Sequence, residues 1–191
     1  MKISIISGTL PDSGAEAYVI PQYVNGTCHA GVNSCLAHQK CKNYIEFYDI
    51  LRQGKELPIG AALGYETGLA KVKYLIHSAI LPGNHRISVE RYRSYLQLAT
   101  YAAVQEAVRM GATSLAIPMF TLQYDADNTG VAIWGALQYC LDLPLEVIIV
   151  VPANKINSFR AGTRKWKNYN PFFVAQYHEE LREHLRILGV A

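Results

Sequence analysis

Short apolar runs alternate along the chain with segments whose apolar residues recur every three or four positions, and turn residues separate the two kinds. Lys2 to Ser7 reads as a strand ending at Gly8, and Glu16 to Ile20 as a second short strand stopped by Pro21. From Val32 to Arg52 the pattern turns helical, with Val32, Cys35 and Leu36, then Ile45, Tyr48 and Leu51, on one side. Pro58 to Gly68, punctuated by Gly60, Gly64 and Gly68, predicts an edge strand between loops. Lys73 to Leu81 is apolar enough for a buried strand. Val89 to Met110 carries the clearest helical period, with Gly111 placed to end it.

The second half repeats the alternation. Thr113 to Phe120 predicts a buried strand, and Asn128 to Leu141 a helix with Asp127 or Asn128 as N-cap. Leu145 to Val151 is the most apolar strand, closed by Pro152. Phe172 to Leu188 predicts an amphipathic helix with Glu early and Arg late, as the helix dipole favours. The order β-β-α-β-β-α-β-α-β-α points to an α/β fold, a three-layer α/β/α sandwich around a mixed central sheet. Its most apolar strands are expected in the sheet centre, covered on both faces. No repeat or linker interrupts the pattern, so residues 1–191 are expected to form one domain.

Composition narrows the classes. Of 191 residues, 50% are hydrophobic and 17% charged, which argues against intrinsic disorder. No apolar run approaches the roughly 18 residues of a membrane span. The N-terminal stretch meets Gly8 too early for a secretion signal. These features predict a cytoplasmic protein. The net charge of +3 is too small to imply a polyanion partner by itself, but it is unevenly spread. Lys155, Arg160, Arg164, Lys165 and Lys167 fall in a stretch without an acid, interleaved with Phe159, Trp166 and Tyr169. This basic loop, 155–170, reads either as a solvated surface or as a contact for nucleic acid.

Cys28, Cys35 and Cys41 cluster with His29 and His38, while Cys140 stands apart. On a continuous helix Cys35 and Cys41 differ by about 9 Å in rise, too far for two thiolates on one zinc. Reduced thiols are the plain reading, with no metal and no cofactor expected. Two loops have more promise, because each follows a strand and precedes a helix, where α/β sheets bind ligands. The first is Pro21 to Asn33. Backbone N–H groups near Gly31 and Val32 would face a phosphate at the helix start. The second is Pro118 to Thr129, where Asp125 and Asp127 serve either as helix caps or as general base or cation ligands. His77, inside an apolar run, reads as a satisfied interior histidine.

Three stretches in this order resemble the macro domain family. Glu16-Ala-Tyr-Val-Ile-Pro-Gln-Tyr23 followed by Ala30-Gly-Val-Asn-Ser-Cys-Leu36 parallels that family's Asp-Ala-Ile-Val-Asn-Ala-Ala-Asn strand, glycine loop and helix start. Gly60-Ala-Ala and Lys73-Tyr-Leu-Ile-His77 parallel its Gly-x-Ala stretch and Val-Ile-His strand. Gly111-Ala-Thr-Ser-Leu-Ala-Ile-Pro118 parallels the Ser-Ile-Ala-Phe-Pro strand before its second phosphate loop. The likeness spans about Ile3 to Ala153. It implies a scaffold that binds ADP-ribose, or an ADP-ribosylated macromolecule, and in some members hydrolyses ADP-ribose derivatives.

By that resemblance the cleft would be lined by Gly8, Thr9, Tyr23, His29, Ala30, Gly31, Val32, Thr121, Gln123 and Tyr124. Tyr23 or Tyr124 would stack on a ring. The chain departs from the family at several of these positions. Thr9 replaces the adenine-reading Asp, and Tyr23 the Asn that contacts the distal ribose. His29-Ala30-Gly31 replaces a triple glycine, and the second loop, Thr121 to Asp125, has no glycine. Three functions follow as expectations: a divergent binder of ADP-ribose or a related nucleotide; a hydrolase in which His29 or Asp125 activates water; or a degenerate fold kept as a protein or nucleic-acid interaction module.

Overall fold

A computed structural model describes residues 1–24, 57–81, 87–120 and 125–166. Six strands form one sheet: β1 (Lys2–Ser7), β2 (Ala17–Tyr23), β3 (Ala62–Glu66), β4 (Tyr74–Leu81), β5 (Ser114–Pro118) and β6 (Glu146–Val151). Their spatial order is β1-β6-β5-β2-β4-β3. All neighbours run parallel except β3, which pairs antiparallel with β4 at one edge. The mixed α/β sheet agrees with the sequence reading, and the apolar runs of β2, β4, β5 and β6 occupy the interior positions. Three α-helices are described: α1 (Val89–Arg109), α2 (Ala126–Leu137) and α3 (Ile156–Lys165). The helices expected over 32–52 and 172–188, and the cysteine–histidine cluster, lie outside the described residues. Among the described residues no helix is long and apolar enough to cross a membrane.

The largest core cluster lies where α1 and α2 cover one face of the sheet. Tyr92, Leu96, Ala99, Ala103 and Ala107 form the buried stripe of α1 at three- and four-residue spacing. Ser88 caps the helix, its side chain accepting the Arg91 N–H. Gly111 follows the C-cap at φ 77°, a left-handed conformation that glycine adopts without strain. This end of α1 matches the expectation from the sequence. On the other face Leu10, Tyr18, Ile20, Leu75, Ala116 and Val150 form a second apolar cluster.

Three local expectations need correction. Pro21 does not stop β2, which continues to Tyr23 with Pro21 opposite Ser78 of β4. The cap of α2 is Asp125, not Asp127 or Asn128; its carboxylate accepts the Asn128 N–H at 3.1 Å, and the helix ends at Leu137 rather than Leu141. The basic stretch from Lys155 is not a loop where it is described, since residues 156–165 are the helix α3. α3 docks on α2 through glycines. A Cβ on Gly162 would overlap the Asp127 carbonyl, and one on Gly130 would overlap the Phe159 carbonyl. Phe159 and Gly162 of α3 are buried and Ile156 packs partly buried on the same core, a short apolar face among basic residues.

Candidate functional site

The strands β2 and β5 are hydrogen-bonded neighbours for two residues only, Ala17 opposite Leu115 and Tyr18 opposite Ala116. Both then run on, β5 to Pro118 and β2 to Tyr23, without pairing to each other. Continuing the register would set Ile20 opposite Pro118 and Pro21 opposite Met119. A proline has no N–H to give a ladder, so each removes a rung at the place where the two strands part. The parting falls where the strand order reverses direction, with β4 and β3 on one side and β6 and β1 on the other. Crevices at such switch points, outside the carboxyl ends of parallel strands, are where open α/β sheets hold ligands.

The walls of this crevice are built from both strands. On the β2 side, the register slips between Gln22 and Tyr23, and Tyr23 is partly buried against the main core. Beneath it lies a buried polar row crossing three strands. His77 of β4 meets the Gln22 Oε1 through Nδ1 at 2.6 Å and the Tyr65 hydroxyl through Nε2 at 3.2 Å. Because Oε1 only accepts, His77 Nδ1 carries the proton in this arrangement and Nε2 accepts from Tyr65. His77 also stacks on the Tyr65 ring, with centroids 5.6 Å apart. The interior reading of His77 therefore holds, and the Gln22 amide nitrogen is buried without a hydrogen-bond partner among the described residues.

On the β5 side, Met119 donates its N–H to Val150 O at 2.8 Å, keeping the strand end joined to β6. Phe120 is fully buried. Asp125, one of the two acids proposed from sequence, is exposed at the start of α2, where Oδ1 accepts from both the N–H and the Nδ2 of Asn128. Arg93 of α1 donates to Asn128 Oδ1 through Nε at 2.9 Å. The other acid, Asp127, points to α3 and pairs with Lys165 at 2.9 Å. Asp127 is thus structural, while Asp125 stands at the site edge as a cap.

Gly8 and Thr9 lie on the same carboxyl edge, beyond β6. The Gly8 N–H donates to Val151 O, tying the end of β1 to that of β6. Gly8 has φ 154°, and a Cβ there would come within 2.9 Å of Asp12 Oδ2, so the turn requires glycine. Asp12 Oδ2 accepts both the N–H and the hydroxyl of Thr9, each at 2.7 Å. These hydrogen bonds hold the exposed Asp12 carboxyl below its ordinary range, so it stays ionised. Sequence reasoning stopped at Thr9 and missed Asp12. The signal available was Thr9-x-x-Asp12, a capping-box spacing that brings a carboxylate back onto its own turn.

Of the residues singled out from sequence, Gly8, Thr9, Tyr23 and Asp125 all stand at this carboxyl edge. His29, Ala30, Gly31, Val32, Thr121, Gln123 and Tyr124 lie outside the described residues. No protein-family model matches the chain, and no curated protein matches it in sequence. Solved structures do match. The macrodomain of Mycobacterium tuberculosis DarG is similar over 79% of this chain and 98% of its own, at 16% identity and a TM-score of 0.64. The Oceanobacillus iheyensis macrodomain with ADP is similar over 86% of this chain and 89% of its own, at 13% identity and a TM-score of 0.67. The chain has the macrodomain fold. Thermosipho africanus DarTG in complex with ADP-ribose carries the same fold, matching 91% of this chain and 46% of its own, at 17% identity and a TM-score of 0.65. At these identities the likeness shows the fold alone.

Proposed function

We propose that this protein binds ADP-ribose or a closely related nucleotide along the carboxyl edge of its sheet. The observation that carries the reading is the parting of β2 from β5 after two paired residues, beside Pro21 and Pro118, at the carboxyl edge of the sheet. From β1 to β2 the edge crosses three strand spacings, about 14 Å, a span suited to an extended dinucleotide-like ligand. Two structural neighbours are described with ADP and with ADP-ribose, which supports the ligand class. In this reading Asp12 supplies the acceptor for the exocyclic amine of adenine, a role that the family resemblance leaves vacant at Thr9. Tyr23 would meet the distal ribose end by ring contact rather than through an asparagine amide. The proposal is for binding, with Asp125 as a cap; a hydrolytic role would fall to its Oδ2, since Oδ1 is taken by Asn128.

Calorimetry with ADP-ribose tests this. Binding is expected, and Asp12→Asn should weaken it by about 1–3 kcal/mol while keeping an acceptor for Thr9. No heat and no thermal shift at millimolar ligand would refute the proposal.

A second reading is favoured by one feature of α3 and the turn before it. Lys155, Arg160 and Arg164 are exposed, no acid occurs from 153 to 166, and of these cations only Lys165 forms an ion pair among the described residues. That surface, with Lys167 beyond the described residues, suits a nucleic-acid backbone carrying or adjoining the bound nucleotide. Affinity for single-stranded nucleic acid should then fall steeply between low and high salt.

A further inference from the structure

We propose that Tyr92 and Thr129 are positioning residues that mount the β5 wall of the crevice and the start of α2 on one buried hydroxyl pair. Tyr92 lies in the first turn of α1, on a different element from either strand of the crevice, and is completely buried. Its hydroxyl donates to the Phe120 carbonyl at 2.6 Å, just past the end of β5. Thr129, also completely buried, places its own hydroxyl 3.3 Å from that of Tyr92. The Thr129 Oγ1 is 3.1 Å from the same Phe120 carbonyl and 3.2 Å from the Asp125 carbonyl. The Tyr92 hydroxyl thus holds the Phe120 carbonyl, and the single Thr129 proton is shared between the Phe120 and Asp125 carbonyls on either side of residues 121–124. A carbonyl oxygen has two lone pairs, so Phe120 has room for the Tyr92 proton and for Thr129 when the threonine proton turns to it rather than to Asp125.

This arrangement differs from ordinary helix packing. A threonine inside a helix commonly donates back to the carbonyl four residues earlier, which accounts for Asp125 but not for Phe120. A buried tyrosine needs some partner for its hydroxyl, yet here the partner is the main chain where β5 hands over to α2. The neighbouring contacts repeat the theme. Arg93, next to Tyr92, donates to Asn128, and Asn128 in turn holds the Asp125 carboxylate. The first turn of α1 therefore grips both the end of β5 and the cap of α2. Without the Tyr92 hydroxyl, the Phe120 carbonyl would keep Thr129 as its remaining hydroxyl partner, and the wall could shift towards or away from β2. Neither residue has any role in the family resemblance described above.

The inference about ligand affinity rests on the proposed ADP-ribose site, so the test has a second readout that needs no ligand. Hydrogen exchange would be followed by mass spectrometry on Tyr92→Phe, Thr129→Val and Thr129→Ser, with Thr100→Val as control. Thr100 spends its hydroxyl on Leu96 O within α1 and touches none of these groups. Tyr92→Phe and Thr129→Val should raise exchange selectively over 119–129, and Thr129→Ser should restore the native pattern. ADP-ribose affinity should fall about five- to twentyfold in Tyr92→Phe, the effect of one lost buried hydrogen bond on a preorganised wall, and stay native in Thr129→Ser and Thr100→Val. Unchanged exchange over 119–129 in Tyr92→Phe would overturn the mount whether or not ADP-ribose binds. An equal rise in every peptide would also overturn it, because the hydroxyls would then serve general stability. If the native protein takes up no ADP-ribose while the selective exchange effect appears, the mount stands and the ligand assignment fails.

Discussion

Glu16, at the entry to β2, joins three strands through one carboxylate, and its removal should have a pH-dependent signature. Oε1 pairs with Lys73 Nζ at 2.5 Å, and Oε2 accepts the N–H and hydroxyl of Thr113 at 3.0 and 2.9 Å. Lys73 lies just before β4 and Thr113 just before β5, so the side chain fastens β2 to both neighbours. The hydrogen bond from Lys73, followed by those from Thr113, lowers the Glu16 carboxyl from 4.5 to about 2. At face value that fall is worth about 3 kcal/mol. The Lys73 side chain is 54% exposed, however, and water screens the pair, so about 1–2 kcal/mol is the expected contribution. A carboxyl held low in the folded state stabilises the fold above its unfolded value and loses that effect as the pH falls through its folded value. Urea unfolding of the native protein and Glu16→Gln should therefore differ by about 1–2 kcal/mol at pH 7, with the gap narrowing between roughly pH 5 and pH 2. Equal stability at pH 7, or a gap that does not change over the acid range, would refute this account of the clamp.

Two further changes probe the helix layer. Gly162→Ala should destabilise the protein by about 3 kcal/mol, above the usual cost of one extra methyl, because the obstacle is the Asp127 backbone rather than a movable side chain; an unchanged melting temperature would show that α3 can lift away freely. Gln97, between α1 and α2, is 1% exposed and its Nε2 has no partner among the described residues. Gln97→Met should raise stability by roughly 1 kcal/mol in the same unfolding assay, since it removes a buried unsatisfied donor at similar volume, and a loss of stability would contradict that.

The regions that the sequence read correctly are those where burial and periodicity coincide. β4 and the interior of α1 are apolar on the positions that meet the core, and Gly111 ends α1 because a left-handed residue was needed there. The errors share a different cause. Pro21 reads as a strand breaker when neighbours are unknown, yet beyond Tyr18 β2 has lost β5 and a proline is tolerated on the unpaired side. α3 reads as a basic loop because its docking face is short, Ile156 and Phe159 followed by Gly162 set against backbone, and basic residues fill much of the rest. The cap of α2 falls on Asp125 because the polar run Asp125-Ala-Asp-Asn128 offers several acceptors, and Asp125 is the one whose extended backbone lets its carboxylate take the Asn128 N–H.

The same division applies to the candidate site. The sequence by itself determined the alternation of strands and helices, the interior strands, and the likeness to a macro domain with altered loop residues. Those properties follow from local pattern, which a chain carries before it folds. The tertiary structure decided that β2 and β5 part after two rungs and that Tyr92 reaches the end of β5 from another element. Both depend on which strands and helices become neighbours, and the Tyr92 bond joins residues 28 positions apart. Spacing along a chain does not specify such partners; packing around a shared core does.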